Sequence, residues 1–263
     1  MKRSAAMLAL VASASVLMTT AHAQGSEMIR MGVEGAFPPF NEMGTDGKPR
    51  GFDVDIGNAL CAKLKAKCEW VVQNWDGMIP ALMSNKFDAI MSSMTDTAER
   101  REKISFTEKY YSVASRMVAR SGSSFDPIRP ETLKGKKVGM QRSSPHESFA
   151  KAVLAPAGAK IVTYPSDDDA LTDLASGRLD AVMADDTMLA TGFLNQPQGT
   201  GFAFTGKPVT NSQYFGAGIA IGVRKDDSQL RDRLNSAINA IRASGEYDHI
   251  AKRYFNFDIY SGT

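Results

Sequence analysis

Two stretches of the chain, LMSNKFDAIMS (82–92) and LASGRLDAVMA (174–184), agree without a gap at Leu, Ser, a basic residue, an apolar residue, Asp, Ala, an apolar residue and Met. Each reads as a helix end, a turn and a buried strand, so the chain carries one helix-turn-strand unit twice. The offset is 92 residues, which pairs Ser92 with Ala184 and Ser93 with Asp185 at the carboxyl ends of equivalent strands. In open parallel sheets that end is where ligands bind.

The surrounding sequence supplies the rest of two such units. Ile29, Met31 and Val33 alternate as a strand, and GAFPPF then forces a loop because Pro38 and Pro39 cannot continue a central strand. After the turn TDGKPRG, the residues Ile56, Ala59, Leu60, Cys61 and Leu64 recur at helical spacing, followed by strand EWVVQ, helix DGMIPALMSN and strand FDAIM. A second set follows SVASRMVAR: strand KKVGMQ, a helix opened by SPHE, strand KIVTY, helix DDALTDLAS and strand LDAVMA. Ser144 as N-cap, Pro145 at the first helical position and Glu147 at the third mark that helix start. Strand-like GAGIAIGVR and the helices SQLRDRLNSAINAIRA and EYDHIAKRYF complete an alternation that predicts an α/β layer structure with largely parallel sheets.

Lys2 and Arg3 precede a short apolar run from Ala5 to Met18, and AHA follows at Ala21 to Ala23. That pattern predicts a cleaved secretory signal peptide at 1–23 and an exported chain starting near Gln24, which is no cysteine and offers no lipid anchor. Without Lys2 and Arg3 the basic residues fall from 31 to 29 and match the 29 acids, so neither nucleic acid nor an anionic lipid surface is an expected partner. Cys61 and Cys68 are the only cysteines, and in an oxidising compartment they read as a local disulfide, with two buried free thiols as the alternative. The mature chain keeps only His146 and His249, too few for a multi-histidine metal site. Asp167, Asp168 and Asp169 sit at a helix start, where negative charge is favourable without calcium.

Chemistry gathers at the strand ends. Ser92, Ser93, Thr95 and Thr97 lead to Arg100, a set of hydroxyls and one guanidinium suited to a carboxylate. Asp96 and Glu99 resemble a helix cap with its reciprocal acid. Asp185, on the other strand end, suits an ammonium, and a molecule bearing both charges on one carbon is an α-amino acid. A plainer reading makes Arg100 a solvated helix charge and the hydroxyls turn and cap residues.

Through GFDVDIGNALC, WDGMIPAL, FDAIMSSM, GRLDAVMAD, YFGAGIAIGVRKDD and YFNFDIY, the chain resembles the periplasmic amino-acid-binding proteins of ABC transporters, in the lysine/arginine/ornithine and histidine-binding group. The resemblance implies a two-lobed, type II fold closing about a two-strand hinge, with lobe 1 at 24–112 and 216–263 and lobe 2 at 113–215. It implies that Arg100 grips the α-carboxylate with Ser93 and Thr95, and that Asp185 holds the α-ammonium. Phe37 and Trp75 would sandwich the ligand's side chain, and Glu34 would meet its distal cation near Ser92. Gln141, Ser144 and His146 would lie on the second-lobe loop that covers the ligand.

Against the family pattern, Glu34 replaces an Asp, Pro145 stands where a backbone N–H usually contributes, and His146 replaces a Gln. The expected protein is a monomeric periplasmic binder, with no cofactor and no catalysis, that delivers arginine, lysine or ornithine, or else histidine, to an inner-membrane ABC permease. Two alternatives stand beside it. One is an opine-binding protein for octopine or nopaline. The other is a cyclohexadienyl dehydratase-like enzyme with Glu34 as general acid.

Overall fold

The computed structural model describes residues 27–262, so the expected leader at 1–23 lies outside the described residues. The chain opens with β1 (Met28–Val33), a small three-stranded sheet of β2 (Ala36–Phe37), β3 (Asn41–Met43) and β4 (Pro49–Arg50), and helix α1 (Phe52–Lys63). Then follow β5 (Lys67–Val72), α2 (Met78–Met83), β6 (Ala89–Ile90), α3 (Ala98–Arg101) and β7 (Ser105–Tyr111). The chain crosses to a second sheet with β8 (Ser115–Arg120), β9 (Lys137–Gln141), α4 (Pro145–Phe149), β10 (Lys160–Tyr164), α5 (Asp167–Ala175), β11 (Ala181–Asp185), α6 (Asp186–Met188) and β12 (Phe202–Val209). After α7 (Ser212–Phe215) it returns to the first sheet as β13 (Ile219–Val223) and ends in α8 (Ser228–Ala243) and α9 (Glu246–Ala251).

The two sheets are topological copies. The first has the order β5-β1-β6-β13-β7 and the second β10-β9-β11-β8-β12. In the first, β5, β1 and β6 run parallel and β13 pairs antiparallel to both β6 and β7. In the second, β10, β9 and β11 run parallel and β8 pairs antiparallel to both β11 and β12. Four strands of each sheet therefore point one way, and the reversed one is the strand entered directly after the chain crosses between lobes. The sequence echo falls on β6 and β11, the central strands that the two copies share.

Local chemistry explains the helix starts near the cleft. Ser144 Oγ accepts the Glu147 N–H at 3.2 Å, and Pro145 takes the first helical position, where no N–H is needed. Ser166 caps α5 through the Asp169 N–H at 3.1 Å. The expected Asp96–Glu99 cap is corrected: Thr97 caps α3 by accepting the Arg100 N–H at 3.2 Å, because the Asp96 carboxylate is paired with the Arg101 guanidinium. In α8, Leu230, Leu234, Ala237, Ile238 and Ile241 form one buried stripe.

Fully buried Phe52 anchors the first lobe, with the rings of Phe40, Tyr110, Tyr111, Tyr247, Tyr254 and Phe255 around it. Phe40 in turn stacks on Phe37 at 5.8 Å, which ties a cleft wall to the core. One apolar cluster includes Phe37, Phe52 and Ile56 of lobe 1 and Leu171, Leu174 and Met188 of lobe 2, so the lobes stand closed.

Cys61 and Cys68 form a disulfide that joins the end of α1 to β5. Replacing both by serine reopens a loop of short span, and the expected cost is about 2 kcal/mol, or roughly 4–8 °C in Tm for a chain of this size. Thermal melts of the oxidised wild type and the double variant check this, and equal midpoints would remove the bond from the list of stabilising features.

Candidate ligand-binding site

The carboxyl ends of β1, β6, β9 and β11 converge between the lobes on a cavity lined by Glu34, Phe37, Trp75, Ser92, Ser93 and Thr95 from one side and Gln141, Ser144, Pro145, His146, Asp167 and Asp185 from the other. It encloses about 20 Å³, room for the centre of a single water. Every sequence-predicted site residue except Thr97 and Arg100 lines it.

Arg100 lies on the adjoining wall, buried at 8% exposure, and faces a wider cleft of about 920 Å³ that it shares with Trp75, Ser144 and Pro145. Its Nη1 donates to the Thr95 carbonyl at 2.9 Å and its Nη2 to the Ser143 carbonyl of the other lobe at 3.1 Å. The guanidinium also sits 5.1 Å from the Trp75 ring centroid, a cation–π contact. Burial lowers the Arg100 pKa to about 10, while Glu99, Asp185 and Asp96 oppose the shift, so the group stays charged at neutral pH.

A buried scaffold holds the lobe 1 side. Asp53, in the first turn of α1, accepts from Asn41 Nδ2 at 2.8 Å, Ser93 Oγ at 2.9 Å and Tyr110 Oη at 2.7 Å. Burial raises the Asp53 pKa and these donors counter it. Ser93 has a left-handed backbone (φ 53°) and its hydroxyl is given to Asp53, so in this closed form it fixes the loop rather than offering a donor to the cavity. Ser92 Oγ accepts the Glu34 N–H at 2.9 Å and so sets the Glu34 backbone.

On lobe 2, His146 Nε2 and Ser115 Oγ are 2.7 Å apart, and the same nitrogen lies 3.4 Å from Asp185 Oδ1. His146 therefore sits against Asp185 while its ring is held by Ser115. The Ser144 hydroxyl donates to the Gln141 carbonyl at 2.6 Å while accepting at the helix cap, so it too is used in shaping the loop.

Loop 141–144 carries polar contacts between the lobes, beside the apolar ones. Gln141 Nε2 donates to Glu34 Oε1 at 2.6 Å, and Arg142 pairs with Asp76. The Ser143 carbonyl accepts from Arg100 and, at 3.3 Å, from Trp75 Nε1. Ser143 adopts φ 57° and its N–H is held by Glu147 Oε2 at 2.6 Å, which turns the carbonyl toward lobe 1.

The cavity is short of positive charge. Burial and the nearby Asp167 push Glu34 up from 4.5 to about 8, against the Gln141 hydrogen bond, which lowers it. Burial likewise pushes Asp167 up from 3.8 to about 7, with His146 lowering it and Asp185 raising it. A cation placed among these acids would favour the ionised form of Glu34 and Asp167 and offset the cost of their burial.

The profile of the bacterial extracellular solute-binding proteins, family 3, matches residues 29–257. The chain belongs to this family. Among its relatives, the L-arginine-binding protein of Pseudomonas aeruginosa is 47% identical over 260 residues, 99% of each chain. The lysine/arginine/ornithine-binding periplasmic protein of Escherichia coli is 39% identical over 262 residues, again 99% of each. A solved Salmonella typhimurium periplasmic binding protein, described for its high arginine specificity, superposes with a TM-score of 0.80 at 31% identity, covering 88% of this chain and 100% of that one.

Two residues of this solute-binding protein's site escape a reading of the sequence. Asp167 looks like one of three equivalent helix-start acids, yet it shares the buried face of α5 with Ala170, Leu171 and Leu174, a helical spacing that was the signal available. Ser143 contributes a backbone carbonyl, which leaves no mark on residue type.

Glu34 generates a pH prediction for the ligand-free solute-binding protein. The unfolded chain releases the Glu34 proton near 4.5 and the folded protein holds it to about 8, so folded-state stability falls as pH rises across that window. Glu34→Gln keeps an acceptor for Gln141 and removes the titration. The variant should melt close to wild type at about pH 4.5 and several degrees above it at about pH 8.5. A gap that stays constant with pH would show that folding leaves the Glu34 titration where it lies in the unfolded chain.

Proposed function

We propose that this protein is a periplasmic substrate-binding protein that captures a cationic L-amino acid, namely arginine, lysine or ornithine, and presents it to an ABC importer of the inner membrane. The observation that carries the reading is one cavity walled by Glu34, Asp167 and Asp185, with the rings of Phe37 and Trp75 in its wall and the Arg100 guanidinium in the cleft that adjoins it. A cationic amino acid supplies two positive groups and one carboxylate, which answers that inventory. The arginine and lysine/arginine/ornithine ligands named for the relatives agree with it.

The closed cavity is far smaller than an amino acid, so entry requires the lobes to part and the Gln141–Glu34 bond to break. On closure the ligand's carboxylate replaces the Ser143 carbonyl at Arg100, its α-ammonium meets Asp185, and its distal cation meets Glu34. The ligand thus selects the closed form by bonding both lobes. A neutral side chain would leave Glu34 buried without a partner, which excludes such ligands. No covalent step is assigned, and the closed two-lobe surface is what the permease would recognise.

The deciding measurement is the thermal-unfolding shift of the ligand-stripped protein with amino acids, octopine, nopaline and prephenate. Arginine, lysine or ornithine at about 100 times Kd should add about 2.7 kcal/mol of stability, several degrees in Tm, and Arg100→Ala and Asp185→Ala should each abolish the shift. A response confined to opines would keep the transport role and replace the ligand. Turnover of prephenate without any amino-acid response would make the protein an enzyme.

A further inference from the structure

Of the three aspartates that open α5, Asp168 and Asp169 are exposed, as acids at a helix start usually are. Asp167 is only 3% exposed and lines the ligand cavity. Among the described residues no lysine or arginine forms an ion pair with Asp167 or with Glu34; the favourable charge acting on Asp167 is that of His146. Gln141 spans the two acids, its side chain donating to Glu34 Oε1 at 2.6 Å and its backbone N–H to Asp167 Oδ1 at 3.1 Å. One residue therefore sets a lobe 1 carboxyl and a lobe 2 carboxyl on the same cavity, so that a cation placed there is approached from both sides.

The shape of the cation then matters. An ammonium is a compact point charge with three donors, whereas a guanidinium is a planar fork with five N–H donors that can serve two carboxylates from separate edges. We propose that Asp167 is a specificity-determining residue, the second-lobe half of a carboxylate pair with Glu34 that selects a ligand side chain ending in guanidinium over one ending in ammonium. This rests on the cationic amino-acid reading above. It narrows that reading to the guanidino member and gives the selection to a residue that the family resemblance did not assign.

Isothermal titration of the mature protein with L-arginine, L-lysine and L-citrulline, in wild type and Asp167→Asn, tests it. Citrulline keeps arginine's shape with a neutral ureido group. Wild type should bind arginine at least about tenfold more tightly than lysine and discriminate strongly against citrulline, and Asp167→Asn should lose about tenfold or more for arginine but less than about threefold for lysine. The arginine-to-citrulline ratio should shrink with it. Asp167→Ser, whose hydroxyl can still accept the Gln141 N–H, should reproduce the loss, and a melt of each variant checks the fold.

If Asp167 serves only to fix Gln141, both variants, which keep an acceptor for the Gln141 N–H, will leave arginine and lysine affinities unmoved or shift them by a common factor, and the proposal is overturned. A wild type that prefers lysine overturns it without any variant. A wild type that binds none of the cationic amino acids refutes the underlying reading first, and the present one with it, a result distinct from an unmoved ratio.

Discussion

Acidic groups held out of water, Glu34 and Asp167 with no lysine or arginine paired to them among the described residues, are the constraint on which the centre of this structure depends. Glu34, Asp167 and Asp185 reach one small cavity from two lobes, and burial raises the pKa of the first two, which pair with no lysine or arginine among the described residues. An arrangement of this kind costs folding free energy and is tolerated only where a surrounding scaffold over-determines it. Here the scaffold is identifiable: Asp53 with Asn41, Ser93 and Tyr110 on one side, Ser115 with His146 on the other, and Gln141 between.

The same loop that shapes the cavity also joins the lobes. Residues 141–144 make the Gln141–Glu34, Arg142–Asp76 and Ser143–Arg100 contacts, so cavity electrostatics and lobe closure cannot be altered independently. A change at Glu34 is felt as a change in closure, and a change in the loop is felt as a change in charge. Under the proposed function, specificity and motion would be properties of one set of bonds.

Much of this was legible in the sequence. The repeat of LMSNKFDAIMS in LASGRLDAVMA marked the two central strands, because buried strands and their turns are written in side-chain type. Arg100 and Asp185 stood out because charge at a strand's carboxyl end is conspicuous. Three features were read differently or missed. Asp167 was hidden among identical neighbours, and only the phase of α5 turns it inward. The α3 cap passed from Asp96 to Thr97 because Arg101 claims the aspartate, a competition decided by side-chain reach. The acceptor at Arg100 is a serine carbonyl, and any residue able to adopt φ near 57° would supply the same atom.

That carbonyl acts as an internal decoy. With Ser143 oxygen on the guanidinium, the protein carries its own weak imitation of a carboxylate and can shut upon itself. An ion–dipole bond is weaker than a charge-assisted pair, so a true anion outcompetes the imitation while a neutral molecule gains little by replacing it. Under the proposed function, self-closure would set a background level of false signals at the transporter. The difference between the decoy and a ligand's carboxylate would then set how far above that background a loaded protein can be heard.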